Sequence, residues 1–369
     1  MFRPLRLKVM LSRARAQTMA LQTRTNTAKS AQDRLLLCVR GRARRESRGV
    51  TSPQDISTDL SAALATELGV ASVTDLARLS GGASRETWGF VADGRRLILQ
   101  RQRFGDIRDM GVEARVVQAA YNAGVPVPEL IANGSGDIGS GFMILSHLEG
   151  ETIARKILRD EQFSQARQSL VTQSAAALAS LHSIDGTKID GLPSLDQVQQ
   201  YRETLDNLNV QLGQSHPTFE LVFRWLERNR PTSTRTTLVH GDFRLGNLMI
   251  DANGLCGVLD WELAHIGDPM EDLGWLCVRA WRFGSRLPVA GVGDYETLIS
   301  AYQDASGVSV DREVVRWWEV LGTLKWGIMC MVQTSSHLLG MTRSHELAAI
   351  GRRVCENEYD LFLALNEKW

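Results

Sequence analysis

Three polar side chains that follow short apolar runs have the types and spacing needed to handle phosphate groups. Asp242 and Asn247 lie five residues apart in the pattern H-x-D-x-x-x-x-N, which begins at His240, and Asp260 follows the apolar run Gly257-Val258-Leu259. In phosphoryl transfer, one carboxylate accepts the proton of the attacking hydroxyl, while an amide oxygen and a second carboxylate hold Mg²⁺ against the phosphates. The pattern therefore predicts a phosphoryl-transfer site that uses ATP and Mg²⁺.

The elements around these residues are predicted to be strand ends and a turn. Leu238-Val239 runs into His240, and a returning strand follows the Asn253-Gly254 turn, which is typical of a hairpin. The alternative is that Asp242, Asn247 and Asp260 are only turn and cap residues.

The part of the chain before residue 150 predicts a small antiparallel sheet. Strand patterns cover 73–79, 88–92 and 97–99, and the segment 80–87 between the first two is rich in glycine and serine. A glycine-rich turn between strands can cover phosphates with its backbone N–H groups. The order of these parts favours a catalytic role for Asp242 over a capping role.

A helix and a crossover complete this first half. The helix at 110–123 carries Glu113, which is placed to pair with a cation that grips phosphate. The segment Ser146–Gly150 is predicted to be a hinge that offers backbone groups to adenine, and helical patterns dominate after Glu149. We therefore predict an α+β fold with a β-rich N-lobe over 51–148 and a helical C-lobe over 149–369.

The net charge of zero is the sum of a basic N-terminal leader and an acidic remainder of the chain. Residues 1–50 contain 13 Lys or Arg with only Asp33 and Glu46, so the remaining residues carry a net charge of −11. An Arg-rich leader is typical of an organellar transit peptide, but a nucleic-acid arm also fits, as does a true start near Met19 or later with the leader never translated. We expect the leader to be disordered, and we expect no nucleic-acid partner for the folded part.

Cysteine spacing and the lengths of the apolar runs indicate the compartment in which the protein is expected. The five cysteines form no CxxC pair and no CxH pair, so reduced core thiols in a cytoplasmic protein are favoured over a zinc site. The segment 321–332 is too short for a membrane span and contains Lys325. We expect a cytoplasmic protein without a membrane partner, and the sequence carries no indication of its oligomeric state.

The chain resembles the aminoglycoside phosphotransferase superfamily, whose members are small-molecule kinases with a protein-kinase-like fold. Within it, the chain is most similar to the group that includes kinase-like domains fused to acyl-CoA dehydrogenases. The resemblance is carried by the segments LSGGASRETW, VEARVVQAAYNAGVPVPEL, FMILSHLEGET, LHSID, LVHGDFRLGNLM and GVLDWELAHIGDPMEDLGW.

The resemblance implies a role for each matching residue. Asp242 is similar to the catalytic aspartate, and Arg244 lies in the same motif as a further candidate catalytic residue, as does Asn247. Asn247 and Asp260 resemble the magnesium ligands, and Asp268 and Asp272 match acids that brace the catalytic loop. The candidate nucleotide-binding residues are Ser80, Gly81, Gly82, Ser84, Arg101, Glu113, Ser146 and Leu148.

One position departs from the family pattern. Family members carry Lys or Arg directly after the third strand's apolar run, whereas this chain has Gln100. Because alternate strand residues face opposite sides, Arg101 could take the phosphate-gripping role only if the strand shifted register or ended, and Arg103 is a weaker alternative. If neither does so, a catalytically weak nucleotide-binding regulator becomes the alternative to an active kinase.

The acceptor is predicted to be a hydroxylated small molecule. The family group points to a hydroxyacyl-CoA or a similar metabolite, and an aminoglycoside or related antibiotic is the alternative. A basic pocket beside Asp242 would favour the CoA compound, and an acidic pocket would favour the aminoglycoside. For His240, a structural hydrogen bond is favoured over metal binding with His265.

Overall fold

The computed structural model of the protein describes residues 53–80, 85–102, 109–232 and 235–366. The basic leader, Gly81, Gly82, Ser84 and Arg103 lie outside the described residues, so the predictions for them stay predictions. Residues 60–369 form one compact unit.

An antiparallel sheet of five strands forms the first half of this unit. After helix α1 (Pro53–Leu68), the strands are β1 (Val73–Ser80), β2 (Arg85–Ala92), β3 (Arg95–Gln102), β4 (Leu130–Gly136) and β5 (Gly139–Ser146). Their spatial order is β1-β2-β3-β5-β4. Leu97 and Leu99 of β3 point to one face of the sheet, where they pack with Leu60 and Leu64 of α1.

Helix α2 (Met110–Asn122) packs on the opposite face of the sheet and carries Glu113 inward. The Asp109 side chain caps the helix by accepting the backbone N–H of Gly111 at 2.8 Å. Val116 and Val117 share a core with Met143 and Leu145 of β5. The inward face of α2 therefore fixes Glu113 beside the sheet.

The second half of the unit is mainly helical. Its helices are α3 (Ala154–Arg159), α4 (Ser164–Leu181), α5 (Gln197–Leu212), α6 (Pro217–Arg228), α7 (Met270–Cys277), α8 (Tyr295–Ser306), α9 (Arg312–Leu338), α10 (His345–Ile350) and α11 (Arg353–Leu365). Among the described helices, none combines the length and apolar character needed to cross a membrane.

Two small antiparallel strand pairs lie next to the predicted chemical residues. The strands are β6 (Thr237–Val239), β7 (Leu248–Asp251), β8 (Gly254–Val258) and β9 (His265–Gly267). The turn joins β7 to β8, while β6 pairs with β9 further along the chain. The loop 240–247 therefore connects two separate pairs, which places its backbone between them.

Candidate functional site

Asp242 lies at the centre of a hydrogen-bonded cluster in the loop 240–247. Its Oδ1 accepts from Arg244 Nε at 2.9 Å and from Trp275 Nε1 at 2.8 Å. Its Oδ2 accepts from Asn247 Nδ2 at 2.6 Å. The side chain is only 10% exposed, so these three donors fix the direction in which the carboxylate points.

Asn247 and Asp260 are brought together by the strand pair β7 and β8. The Leu259 backbone N–H donates to the Asn247 carbonyl at 2.8 Å, which places Asp260 next to Asn247. The Asn247 amide nitrogen is used on Asp242, and its oxygen accepts no hydrogen bond from the described residues. Asp260 has φ +64°, a left-handed conformation that is uncommon for non-glycine residues but that aspartate adopts more readily than most.

Asp260 lies in surroundings that disfavour its charge. Burial, together with the carboxylates of Glu262 and Asp242, raises the pKa of Asp260 to about 7, although Arg85 opposes this change. A bound cation would stabilise carboxylates that repel one another in this way. Hard oxygen donors from one amide and one carboxylate fit Mg²⁺, so the residues present are compatible with this ion.

We expect Asp260→Asn to stabilise the ligand-free protein more at pH 8 than at pH 5. A carboxyl whose pKa is higher in the folded state makes its stabilising contribution below its unfolded pKa, and this is lost as pH rises through the folded pKa of about 7. At pH 8 the charge costs roughly 2–4 kcal/mol, which the amide removes. Thermal unfolding of both proteins at the two pH values tests this, with the exposed Asp206→Asn as control. An equal change at both pH values would contradict it.

Asp272 binds the backbone at the start of the loop 240–247. Its carboxylate accepts the backbone N–H groups of His240 at 2.8 Å and Gly241 at 2.9 Å, and it contacts His182 Nε2 at 3.2 Å. Burial alone would raise the pKa of Asp272, but His182 and His240 hold it below the ordinary value. The resemblance implied such bracing, whereas Asp268 caps α7 by accepting the Met270 N–H at 2.9 Å.

His240 and Gly241 give the loop its shape. His240 Nε2–H donates to the Leu259 carbonyl at 3.1 Å, and its Nδ1 accepts the Asp242 N–H at 3.1 Å. Burial lowers the pKa of His240, which keeps the ring neutral as this pattern requires. Gly241 has φ +77°, and a Cβ there would lie 2.5 Å from the Leu263 carbonyl oxygen, so a side chain does not fit.

A buried lysine of α9 supports the same loop from the other side. Lys325 Nζ donates to the Gly241 carbonyl at 2.7 Å and to Glu271 Oε1 at 3.2 Å. It also lies 4.5 Å from the ring centroid of Trp275, which itself binds Asp242. Lys325 is 3% exposed, and Glu271 also contacts His265 Nε2 at 3.0 Å. A buried charge network thus fixes the backbone on which Asp242 is mounted.

Glu113 pairs with Arg85 of β2. Arg85 Nη1 donates to Glu113 Oε1 at 2.5 Å, and Arg85 Nη2 lies 3.5 Å from Glu262 Oε2. Arg101 instead contacts Glu86 at 2.8 Å and the Ile138 carbonyl at 3.1 Å. Arg101 therefore lies on the face of β3 that points away from Glu113, contrary to the prediction. The reason is that β2 and β3 pair without a register shift.

The predicted hinge uses part of its backbone within the sheet. The Ser146 N–H donates to the Glu129 carbonyl at 2.9 Å, and the His147 N–H donates to the Arg96 carbonyl at 3.2 Å. The Ser146 N–H is therefore not available to adenine, and the predicted hinge role of Ser146 stays a prediction that rests on its carbonyl. The Leu148 N–H has no hydrogen-bond partner among the described residues. Ser80 ends β1 with its backbone opposite Thr87, next to the undescribed turn.

Arg85, Trp275 and Lys325 contact the predicted site residues but were not identified from the sequence. Trp275 lies in the motif segment GVLDWELAHIGDPMEDLGW, and Arg85 lies in LSGGASRETW, so both were close to recognised residues. Lys325, a charge inside an apolar helical run, was noted only as evidence against a membrane span. A lone charge on an apolar helix face was the available signal.

An arginine-rich cavity of about 830 Å³ is connected to Asp242 through the side chains of Arg244 and Trp281. Arg244 stacks 4.4 Å from the ring centroid of Trp281, and the neighbours of Trp281 in the chain line the cavity. The charged lining residues are Arg155, Arg279, Arg282, Arg286, Arg353, Glu356 and Asp360. Arginines outnumber acids there, so the cavity is basic.

Two cavity arginines have no acidic partner within the described part of the chain. Arg279 pairs with Asp360 at 3.3 Å, and Arg353 pairs with Glu356 at 3.6 Å. Arg282 is held by Glu319 at 2.6 Å. Arg155 and Arg286 are exposed and make no such pair. Their guanidinium groups are available to an anion.

Known proteins with this fold include antibiotic phosphotransferases. A protein assigned as an aminoglycoside phosphotransferase, from Ralstonia eutropha JMP134, has a TM-score of 0.64 at 21% identity and covers 79% of this chain and 92% of its own. Spectinomycin phosphotransferase, solved with ADP and spectinomycin, has a TM-score of 0.60 at 11% identity and covers 85% of this chain and 98% of its own. These likenesses confirm the two-lobed, kinase-like α+β fold.

The sequence comparisons define the family. The chain is 30% identical over 234 residues to mouse (Mus musculus) acyl-CoA dehydrogenase family member 10, covering 58% of this chain and 21% of that protein. The chain thus spans about a fifth of that relative's length. Residues 75–318, well over half of the chain, match the APH family, described as a phosphotransferase enzyme family. On this evidence, and with the fold and the loop geometry in agreement, the chain belongs to the APH phosphotransferase enzyme family.

Proposed function

We propose that this protein transfers the γ-phosphoryl group of ATP to a hydroxyl group of a small molecule, with Mg²⁺. The observation that carries this proposal is the convergence of Arg244, Trp275 and Asn247 on the Asp242 carboxylate, with Asp260 next to Asn247. The Asp242 carboxylate is fixed and largely buried, which suits it to accept a proton. The Asp260 carboxylate is disfavoured by nearby negative charge, which suits it to bind a metal ion.

The proposed reaction assigns Asp242 and Arg244 separate tasks. The acceptor hydroxyl oxygen forms a bond to the γ-phosphorus as the bond to the β,γ-bridging oxygen breaks, and ADP leaves. Asp242 orients the hydroxyl and accepts its proton, which is then released to solvent. Arg244, fixed by Asp242 and the Trp281 ring, places a positive charge beside this carboxylate and stabilises negative charge on the transferring group.

Asn247 and Asp260 are the residues that would hold Mg²⁺. When bound, the ion would neutralise phosphate charge during transfer. Support comes from the Asn247 amide oxygen, which accepts no hydrogen bond from the described residues, and from the raised pKa of Asp260. Leu148 is the proposed backbone donor to adenine, and the ADP in the solved spectinomycin phosphotransferase supports a nucleotide donor.

For the acceptor we propose a hydroxyacyl-CoA or a similar phosphate-bearing metabolite. The cavity next to Trp281 is basic, and its two arginines without acidic partners suit phosphate groups. The exposed rings of Phe283 and Tyr359 at the same cavity offer surfaces to a flat base. The mouse relative is named as an acyl-CoA dehydrogenase family member, which supports the same choice. A polycationic aminoglycoside would be repelled by this lining.

We expect Arg155→Ala/Arg286→Ala to weaken CoA binding by about tenfold or more. Two exposed charge-assisted contacts to phosphate account for a loss of this size. Isothermal titration with CoA as the probe measures it, and Arg224→Ala, an exposed arginine of α6 outside the cavity, is the matched control. Unchanged CoA binding in the double variant, or tight binding of kanamycin by the wild type, would remove the support for this acceptor class.

An ADP-release assay tests the reaction itself. The acceptor panel contains hydroxyacyl-CoAs, the matching free hydroxy acids and aminoglycosides. We expect ADP release with Mg²⁺ and a hydroxyacyl-CoA, and a product heavier by one phosphoryl group in the mass spectrum. ATP binding without phosphorylation of any acceptor would instead favour a nucleotide-binding regulator.

A cytoplasmic location fits this activity and is also a proposal. The four described cysteines, Cys256, Cys277, Cys330 and Cys355, are free thiols. Free thiols are typical of a reducing compartment.

A further inference from the structure

The third strand of the sheet carries a neutral residue at the place where the family pattern has a cation. Gln100 follows the apolar run of β3, and its side-chain oxygen accepts from Arg85 Nη1 at 3.4 Å. The Arg85 guanidinium, from the neighbouring strand, thus reaches the position that a longer basic side chain at residue 100 would fill.

The strand register explains how Arg85 reaches this position. Thr87 lies opposite Gln100 and Arg85 lies opposite Gln102, so alternation places Arg85 and Gln100 on the same face of the sheet. Glu86 lies opposite Arg101, and these two side chains pair on the other face. The alternation of side chains along β2 and β3 therefore places Arg85 on the face of the sheet that looks toward Glu113 and places Arg101 on the opposite face.

Arg85 has the partners expected of a cation that serves the reaction centre. It is 7% exposed and bridges Glu113 of α2 and Glu262, two residues beyond Asp260. Its charge also acts on Asp260, the proposed metal ligand.

The Arg85 guanidinium has N–H donors that its described protein contacts do not use. The described contacts to Glu113, Gln100 and Glu262 use Nη1 and Nη2, and arginine carries five N–H donors in a planar fork. Such a fork binds phosphate oxygens in a bidentate manner. More than one acidic residue surrounds this single guanidinium, so a negatively charged polyphosphate would need the positive charge of Arg85 in order to bind.

We propose that Arg85 of β2 supplies the cation that binds the ATP phosphates, in place of the residue at position 100 of β3. The inference rests on the proposed function, because it concerns the nucleotide of that reaction. It makes the protein a kinase whose phosphate-binding charge has moved from the third strand to the second. The alternative is that Arg85 only clamps the two halves of the unit together.

A charge-swap series tests the proposal by calorimetric titration with MgATP and with adenosine, which lacks phosphates. We expect Arg85→Gln to weaken MgATP binding by tenfold or more and to leave adenosine binding within about twofold. We expect the swap Arg85→Gln/Gln100→Arg to recover most of the lost affinity. The control Arg101→Gln removes an arginine from the opposite face of the same sheet and should leave MgATP binding within about twofold.

The outcomes separate this inference from the proposed function. Equal losses for MgATP and adenosine in Arg85→Gln would show a structural clamp, and a larger loss in Arg101→Gln would return the role to that residue. Either result overturns the inference while the wild type still binds MgATP. A wild type that binds neither ligand would overturn the proposed function together with the inference. Because binding needs no acceptor, the choice of acceptor does not affect these results.

Discussion

Replacing Asp242 by asparagine is expected to lower kcat for phosphoryl transfer by about a thousandfold or more. The amide keeps the shape of the side chain but cannot accept the proton of the acceptor hydroxyl, and loss of a general base costs about 10² to 10⁴ in rate. It also removes the negative charge that orients Arg244, which lies 2.9 Å away. We expect the Kd for MgATP to stay within a few-fold, because the proposed nucleotide contacts are made by other residues.

The measurement is ADP release at saturating acceptor, with unfolding temperature recorded for each variant. Asp251→Asn is the matched control, because Asp251 caps the β7–β8 turn by accepting the N–H groups of Asn253 and Gly254. An asparagine can make the same turn contacts. A kcat within about tenfold of wild type for Asp242→Asn would remove Asp242 from the reaction.

Lys325→Met is expected to destabilise the fold by about 3–5 kcal/mol, the usual cost of leaving a buried ion without its partner. The substitution leaves the Gly241 carbonyl without its donor and, within the described part of the chain, leaves Glu271 with His265 alone as a cationic partner. Burial would lower the pKa of Lys325, but Tyr201, Glu271 and Asp242 together outweigh this and raise it, so the lysine is charged at neutral pH. Since Gly241 precedes Asp242, we also expect kcat to fall.

Urea unfolding followed by tryptophan fluorescence measures this effect. Lys188→Met is the matched control, because the Lys188 side chain is 80% exposed and a surface pair contributes little. The double variant Lys325→Met/Glu271→Gln should lose less than the sum of the single changes, because the two residues form one network. A Lys325→Met protein within about 1 kcal/mol of wild type would show that the loop does not depend on this lysine.

Several parts of the fold follow from local sequence signals. The helix carrying Glu113 was predicted at 110–123 and is found at Met110–Asn122. The meander and the turn at Asn253-Gly254 are also present, because glycine and alternating apolar residues act over a few neighbours. The prediction of a two-lobed α+β fold is confirmed, and membership of the phosphotransferase family followed from the motifs.

The pairing of distant strands was not available from these signals. The Asn253-Gly254 turn predicted the return of the strand before Asp260, which is found as β8, but no local signal indicated that β6 pairs with β9. A three-residue strand has too few side chains to identify its partner, so long-range packing decides the pairing. The consequence for the site is that Asp272, just beyond β9, comes to lie under the backbone of His240 and Gly241.

The sequence by itself determined which residues form the loop 240–247 and that Asp242, Asn247 and Asp260 come in an order suited to phosphoryl transfer. It also determined that Gln100 and Arg101 face opposite sides of β3, since alternation is a property of any strand. Only the tertiary structure decided which face looks toward Glu113, because that depends on how α2 packs on the sheet. That packing placed Arg85 rather than Arg101 on the side of Glu113. Likewise, only the tertiary structure brought Arg155 of α3 and Arg353 of α11 to the segment 279–286, which forms a basic cavity from arginines that are distant in the chain.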